Sequence, residues 1–306
     1  MTTLLVLART LHIGSALLLA SLLFFRQVIL RRSENVPAQD GSPTGMTRKI
    51  GQWLIGTFLL HLLSGAGWLW IVTADMNNSS LGGALDGNLL GIVLTQTQFG
   101  QLWSWRLALA VAFGMILFLE PRNPASPRKS GWLAFAASAV LLASLAWAGH
   151  AAAGTNFRVL HIGVDLVHLA IAAVWPVGLI PLALFLRAAS DEPGDAVLIL
   201  QRFSRTSLIC VFLLFLSGLA NALFFIPSVA ALFTSAYGQL LLAKIVLFLA
   251  MAGIGAAHRF SFLPAFEKDA SALIPMRRAV LIESALCLIV LLIVGVMGAT
   301  SPPPSS

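Results

Sequence analysis

An all-α polytopic membrane protein with eight transmembrane helices is the fold class the sequence predicts, and three observations predict it. Of 306 residues, 58% are hydrophobic and only 10% charged, where a soluble domain carries about 25% charged residues. The apolar residues gather into eight runs, each long enough to cross a hydrocarbon core of about 30 Å. The Lys and Arg residues fall in alternate connections between those runs, so the net charge of +7 records topology. The bilayer is the implied partner, and nucleic acid is not.

The first run, near 4–30, is interrupted by Arg9 and His12 and is followed, not preceded, by Arg26, Arg31 and Arg32. A secretory leader has the reverse order and a small-residue cleavage site, so this run is expected to be a span. The second lies near 50–74, with His61 at mid-depth. The third and fourth lie near 102–119 and 131–150, and the fourth closes on "GHAAAG" with His150. The fifth, 159–187, holds "RVLHIGVDLVHLAIAAVW" and then "WPVGLIP", whose prolines predict a kink. Runs near 203–226, 239–259 and 279–299 complete the set. Cys210 and Cys287 both sit inside apolar runs, which excludes a disulfide framework or a CxxC metal site.

Basic residues occupy 31–49 (Arg31, Arg32, Arg48, Lys49), 120–130 (Arg122, Arg128, Lys129), the fifth-to-sixth connection (Arg187, Arg202, Arg205) and the last one (Arg259, Lys268, Arg277, Arg278). Segments 75–101 and 227–238 contain neither Lys nor Arg. The positive-inside rule then predicts both termini on the non-cytoplasmic side, N-out and C-out.

The two halves repeat one another. "RTLHIG" (Arg9–Gly14) recurs as "RVLHIG" (Arg158–Gly163), and "FGQLWSWR" (Phe99–Arg106) as "YGQLLLAK" (Tyr237–Lys244). These strings predict a duplication of one four-helix unit, 1–150 and 151–306. Its copies share orientation, and their pseudo-two-fold axis lies along the membrane normal. His12 and His161 become equivalent positions on helices that could face each other.

Ionisable side chains are costly in a bilayer and mark functional positions by default. On this topology the outer half holds Arg9, His12, Arg106, His150, His161, Asp165, His168 and Lys244, while Glu283 and His258 lie towards the cytoplasmic side. His161, Asp165 and His168, spaced i, i+4 and i+7, fall within roughly 60° of one another on a helix. Imidazole is a first-choice ligand for copper, zinc and haem iron, and a neighbouring carboxylate can ligate or orient it. Asp165 has a second reading, as a buried charge pair with Lys244 or Arg106 that locks helix packing. Glu283 reads as a charge pair with a loop arginine or as part of a relay. "SGAGW" (Ser64–Trp68) and "SGLAN" (Ser217–Asn221) read as close helix packing.

Over essentially its whole length the chain resembles the copper-resistance protein D (CopD/PcoD) family of bacterial inner-membrane proteins. The resemblance rests on "GHAAAG", "LHIGVDLVHLAIAAVW", "RFS" at 202–204, "YGQLLLAK", "ESAL" at 283–286 and the closing "TSPPP". Two departures are Pro176 and a single Gly178 after Trp175, where the family commonly has a double Gly, and His258 where an Asn often stands. The resemblance implies copper transfer across or into the inner membrane, with a periplasmic copper-binding protein of the CopC type as partner. It carries metal-ligand roles onto His12, His150, His161, Asp165 and His168, and His61 joins them by position alone. The expected site is built from the first, fourth and fifth spans. The chain carries no nucleotide-binding motif and reads as a copper carrier, not an enzyme. The competing expectation is a b-type cytochrome or metal reductase with haem b held by transmembrane histidine pairs, such as His12 with His161 or His61 with His150.

Overall fold

The computed structural model describes residues 2–30, 44–119, 128–148, 157–188 and 193–303. Among these residues the secondary structure is helical, and eight helices are long and apolar enough to cross a membrane. The spans are Thr2–Ile29, Arg48–Met76, Gln98–Leu119, Ser130–Trp147, Arg158–Arg187, Ala196–Phe225, Ala236–Lys268 and Leu273–Gly298, in the order and places the hydropathy predicts.

Helix α1 (Thr2–Phe24) ends in a π-helical turn, Phe25–Ile29. Next come α2 (Thr44–Met76), α3 (Gly87–Gln96), α4 (Gln98–Leu119) and α5 (Arg128–Ala143). The fifth span breaks as its prolines require: α6 (Arg158–Val174) stops at Trp175, and α7 (Leu179–Ala188) resumes after Pro176. Helices α8 (Pro193–Phe225), α9 (Val229–Thr234) and α10 (Ala236–Ala257) come after it. A second π-helical turn, His258–Phe262, leads into α11 (Leu263–Lys268) and then α12 (Leu273–Gly298).

The connections 75–101 and 227–238, which contain neither Lys nor Arg, are not plain loops. Each holds a short helix, α3 or α9, started by a side-chain cap: Asp86 accepts from Asn88 N (2.9 Å), and Ser228 from Ala231 N (3.2 Å). The turn into the next span is built alike in both. Gly100 N donates to Thr97 Oγ1 (2.9 Å) and Gln101 Nε2 to Thr95 O (3.2 Å). Likewise Gly238 N donates to Ser235 Oγ (3.0 Å) and Gln239 Nε2 to Phe233 O (3.1 Å). The residues involved match at a constant offset, that of the "GQL" motif.

The interior is aliphatic and aromatic, with Leu19, Leu22, Phe25, Phe113, Leu141 and Trp175 almost fully buried. Leu63, Trp105, Phe118 and Phe212 stand exposed on the flanks, as lipid-facing side chains must. Helix α1 runs through the centre and packs on α2, α5, α6 and α12. Its seam with α12 is antiparallel, with Gly14 beside Leu291 and Gly295 beside Thr10. A Cβ at position 295 would overlap Thr10 Oγ1 and approach Val6 O to 3.0 Å, so glycine is required there. Arg9 Nη1 donates to Gly298 O across the same seam, which brings both chain ends to one end of the bundle. Gly295→Ala is expected to cost about 1–3 kcal/mol by overpacking. This is measurable as a lower unfolding temperature in detergent, partly restored by adding Thr10→Ala.

Candidate functional site

The described polar residues in the half of the bundle that holds both termini do not form one cluster. They form two, one in each half of the chain.

The first joins α1, α2 and α4. His12 and His61 are 4% and 2% exposed, and their rings stack at 4.1 Å with 19° between planes. Arg106, 3% exposed, donates from Nη2 to His12 Nε2 at 2.7 Å and from Nη1 to Ser144 Oγ at 2.5 Å. Because Nε2 accepts, His12 carries its proton on Nδ1 and donates it to His61 O (3.1 Å). The Ser15 hydroxyl donates to His12 O (2.9 Å), so Ser15 Oγ accepts from His61 Nδ1 (3.1 Å). The lone pair of His61 is then on Nε2. Trp68 and Trp103 wall the pair, with ring centres 5.6 and 5.1 Å from His12. The Arg9 guanidinium lies 5.0 Å from the Trp68 ring centre.

The second joins α6, α8 and α10. Ser217 donates its hydroxyl to Leu213 O (2.8 Å) and accepts from His168 Nδ1 (3.0 Å). That leaves His168 Nε2 as the acceptor, facing the Lys244 ammonium at 3.5 Å. Asn221 Nδ2 reaches Asp165 Oδ1 at 3.5 Å, and Asp165 and Lys244 interact electrostatically.

The clusters share a plan. In each, a histidine Nε2 faces a basic residue at matched motif positions, Arg106 or Lys244. In each, a Ser-Gly pair on the next span lies against the ring: a Cβ on Gly65 would crowd His12 Cε1 at 3.0 Å, and one on Gly218 would meet His168 Cε1 in ordinary contact at 3.5 Å. By contact, the counterpart of His12 is therefore His168. His161, which the "LHIG" motif pairs with His12, lies two turns away. Its ring stacks on Phe224 (4.3 Å, 12°) and meets Phe225 edge-on (4.7 Å), and its Nε2 has no hydrogen-bond partner among the described residues.

Sequence reasoning names His12, His61, Asp165, His168, Arg106 and Lys244, and all six sit in these clusters. His161 and Arg9 stand beside them, and His150 lies outside the described residues. Glu283 lies at the opposite end of the bundle, with Oε2 3.4 Å from His258 Nε2. This histidine belongs to the preceding span. Ser15, Ser144, Ser217 and Asn221, the hydrogen-bond partners of the clusters, are not singled out by sequence reasoning. The shared Ser-Gly of "SGAGW" and "SGLAN" is the signal that could have found Ser217.

Chemically, both clusters are closed. Among the described residues no three His, Cys, Asp or Glu side chains converge as a ready metal cage. The nitrogen lone pairs of His12 and His168 that would meet a metal face a guanidinium or an ammonium instead. A haem fits the first cluster poorly, since rings stacked face to face at 4.1 Å cannot aim their nitrogens at an iron between them.

Comparison with known proteins gives a consistent result. Residues 197–297 match the family described as Copper resistance protein D, and residues 1–159 match the Copper resistance protein D-like N-terminal domain. The chain is 33% identical to Copper resistance protein D of Pseudomonas syringae pv. tomato over 69% of its own length and 71% of that protein. It is 30% identical to Inner membrane protein YebZ of Escherichia coli over 68% of its length and 70% of that protein. With Copper transport protein CutJ of Bacillus subtilis it shares 32% identity over 58% of its length, a third (33%) of that longer chain. No solved structure gives a significant match.

Proposed function

The chain belongs to the copper resistance protein D family. On that footing we propose that it is an inner-membrane copper carrier that receives the ion at the end of the bundle holding both termini and moves it across or into the membrane. The basic residues of alternate connections support placing that end in the periplasm. A periplasmic copper-binding protein of the CopC type would deliver the ion there.

The observation that carries the reading is the cluster on α6, α8 and α10, where a carboxylate, an imidazole and an ammonium meet inside an apolar bundle. Without an ion it is electrically balanced, with Lys244 offsetting Asp165. That is the least costly state for charges in a low-dielectric interior. An arriving copper ion takes over the carboxylate and His168 Nε2 while the flexible lysine withdraws. Ser217 keeps the ring oriented through Nδ1, as the outer partners of metal-bound histidines do. The first cluster offers His61 Nε2 and, when Arg106 swings aside, His12 Nε2.

The test is metal analysis with an absorption spectrum on detergent-purified protein. Copper is expected to co-purify with the parent, without a Soret band. Asp165→Asn and His168→Ala should lose most of it, and His161→Ala, whose ring stacks on phenylalanine, should keep it. Retention of copper by both cluster variants, or a Soret band, overturns the reading.

A further inference from the structure

At the end of the bundle away from both termini lies a cavity of about 130 Å³, between the broken fifth span and helices α8, α10 and α12. Ser204, Ser207, His258, Arg259, Met276 and Glu283 are among its lining residues. Among the described residues, Ser207 Oγ and Glu283 Oε1 of that lining have no hydrogen-bond partner, and His258 Nε2 has only the Glu283 carboxylate, at 3.4 Å, near it. Glu283 itself is 1% exposed. A space of this size with several unmet polar atoms is one that water fills, because an unsatisfied buried carboxylate oxygen is otherwise too costly to keep. The floor of the cavity is the π-helical turn beginning at His258, a local irregularity often found where helices do chemical work.

We propose that Glu283 is a proton-exchange site, served by water in this cavity and reached from the membrane face opposite the termini. Uptake converts the carboxylate to the carboxylic acid at Oε1, the proton coming from a hydronium in the cavity, and release returns it to the same water. The chemistry of the lining selects a proton over a metal cation. The lining holds one carboxylate, Glu283, and one imidazole, His258, too few donors among the described residues to hold a metal ion, while a single carboxylate suffices for a proton. Arg259 also lines the space and donates to Ser204 Oγ (3.3 Å). The other groups around Glu283 are His258 at 3.4 Å and, one turn nearer the same face on α1, Arg26, placed by the register that sets Thr10 beside Gly295. Helix α10 connects the two levels. Lys244 and His258 are fourteen residues apart, a rise of about 21 Å. A proton held at Glu283 on α12, beside the His258 that follows α10, and a copper ion held beside Lys244 in the first half of α10 are thus towards opposite ends of that helix, the arrangement for moving one against the other. This last coupling rests on the copper reading; the proton site does not.

Infrared pH-difference spectra on copper-free protein reconstituted in lipid test the site. A carboxylic C=O band that appears on acidification, shifts readily in D2O, is lost in Glu283→Gln and persists at a displaced frequency in Glu283→Asp is the expected result. A band that survives in Glu283→Gln, or folded parent protein without one, overturns the proposal. Proteoliposomes with a trapped pH dye then test the coupling. Parent protein should move protons when copper is added, and Glu283→Gln should bind copper but move none. Equal proton movement in both overturns the coupling. A parent that binds no copper but keeps the infrared band refutes the carrier reading and leaves the proton site standing.

Discussion

His12→Ala is expected to lower the stability of the folded protein by about 3–5 kcal/mol, because it strands a buried guanidinium. Arg106 is 3% exposed and its Nη2 has His12 Nε2 as partner at 2.7 Å. Removing the imidazole leaves the charge in an apolar bundle with the Ser144 hydroxyl and the Trp103 ring (5.4 Å) beside it, and also deletes the ring that His61 stacks on. Thermal unfolding in detergent, followed by tryptophan fluorescence, measures the loss, and Trp68 and Trp103 beside the site contribute to the signal. Arg106→Met on its own leaves only neutral groups unsatisfied, at about 1–3 kcal/mol. The double variant should therefore be more stable than His12→Ala alone, a coupling that a double-mutant cycle reads directly. If the two losses simply add, the guanidinium is not held by His12 and the first cluster is not a unit.

Lys244→Met is expected to tighten copper binding at the second cluster by at least about tenfold, or about 1.4 kcal/mol. The ammonium stands 3.5 Å from His168 Nε2 and interacts with Asp165, so it occupies the space and the charge that the ion needs. Two unit charges at about 4 Å repel by about 4 kcal/mol at the effective dielectric of protein sites, which makes a tenfold gain a low bound. Tighter binding should accompany slower movement of copper in proteoliposomes, because the lysine no longer returns to displace the ion. A competition titration against a copper chelator measures the affinity. Weaker binding in Lys244→Met would mean that the lysine assists the ion instead of standing in for it.

The eight spans were legible because hydrocarbon thickness fixes helix length, and the break in the fifth because Pro176 and Pro181 leave little choice. The connections without Lys or Arg were not legible as helices. α3 and α9 are short, and only the capping residues Asp86 and Ser228 announce them. At the site, composition named the residues but not their partners. In a bilayer both the lipid-facing and the core-facing sides of a helix are apolar, so hydrophobic periodicity says little about which side chains turn inward. That is why His161, sharing a motif with His12, takes on sequence grounds the place that His168 holds. The matched "RxLHIG" strings align the helices, but the contacts follow the Ser-Gly pairs on the neighbouring spans. The repeated hydrogen bonds of Thr97, Gly100 and Gln101 with Ser235, Gly238 and Gln239 support a duplicated unit. They lie where the two strings are most alike.

The seam between α1 and α12 bears on the order in which the protein is assembled. Arg9 is made 289 residues before the Gly298 carbonyl it donates to, and Thr10 is similarly far ahead of Gly295. Contacts so far apart in the chain close late. Until α12 enters the membrane, α1 therefore carries a guanidinium without its carbonyl partner and an unfilled notch on the side meant for α12. Nascent chains that stop short of residue 295 keep that surface open to lipid and to membrane proteases. Insertion of α12 seals it.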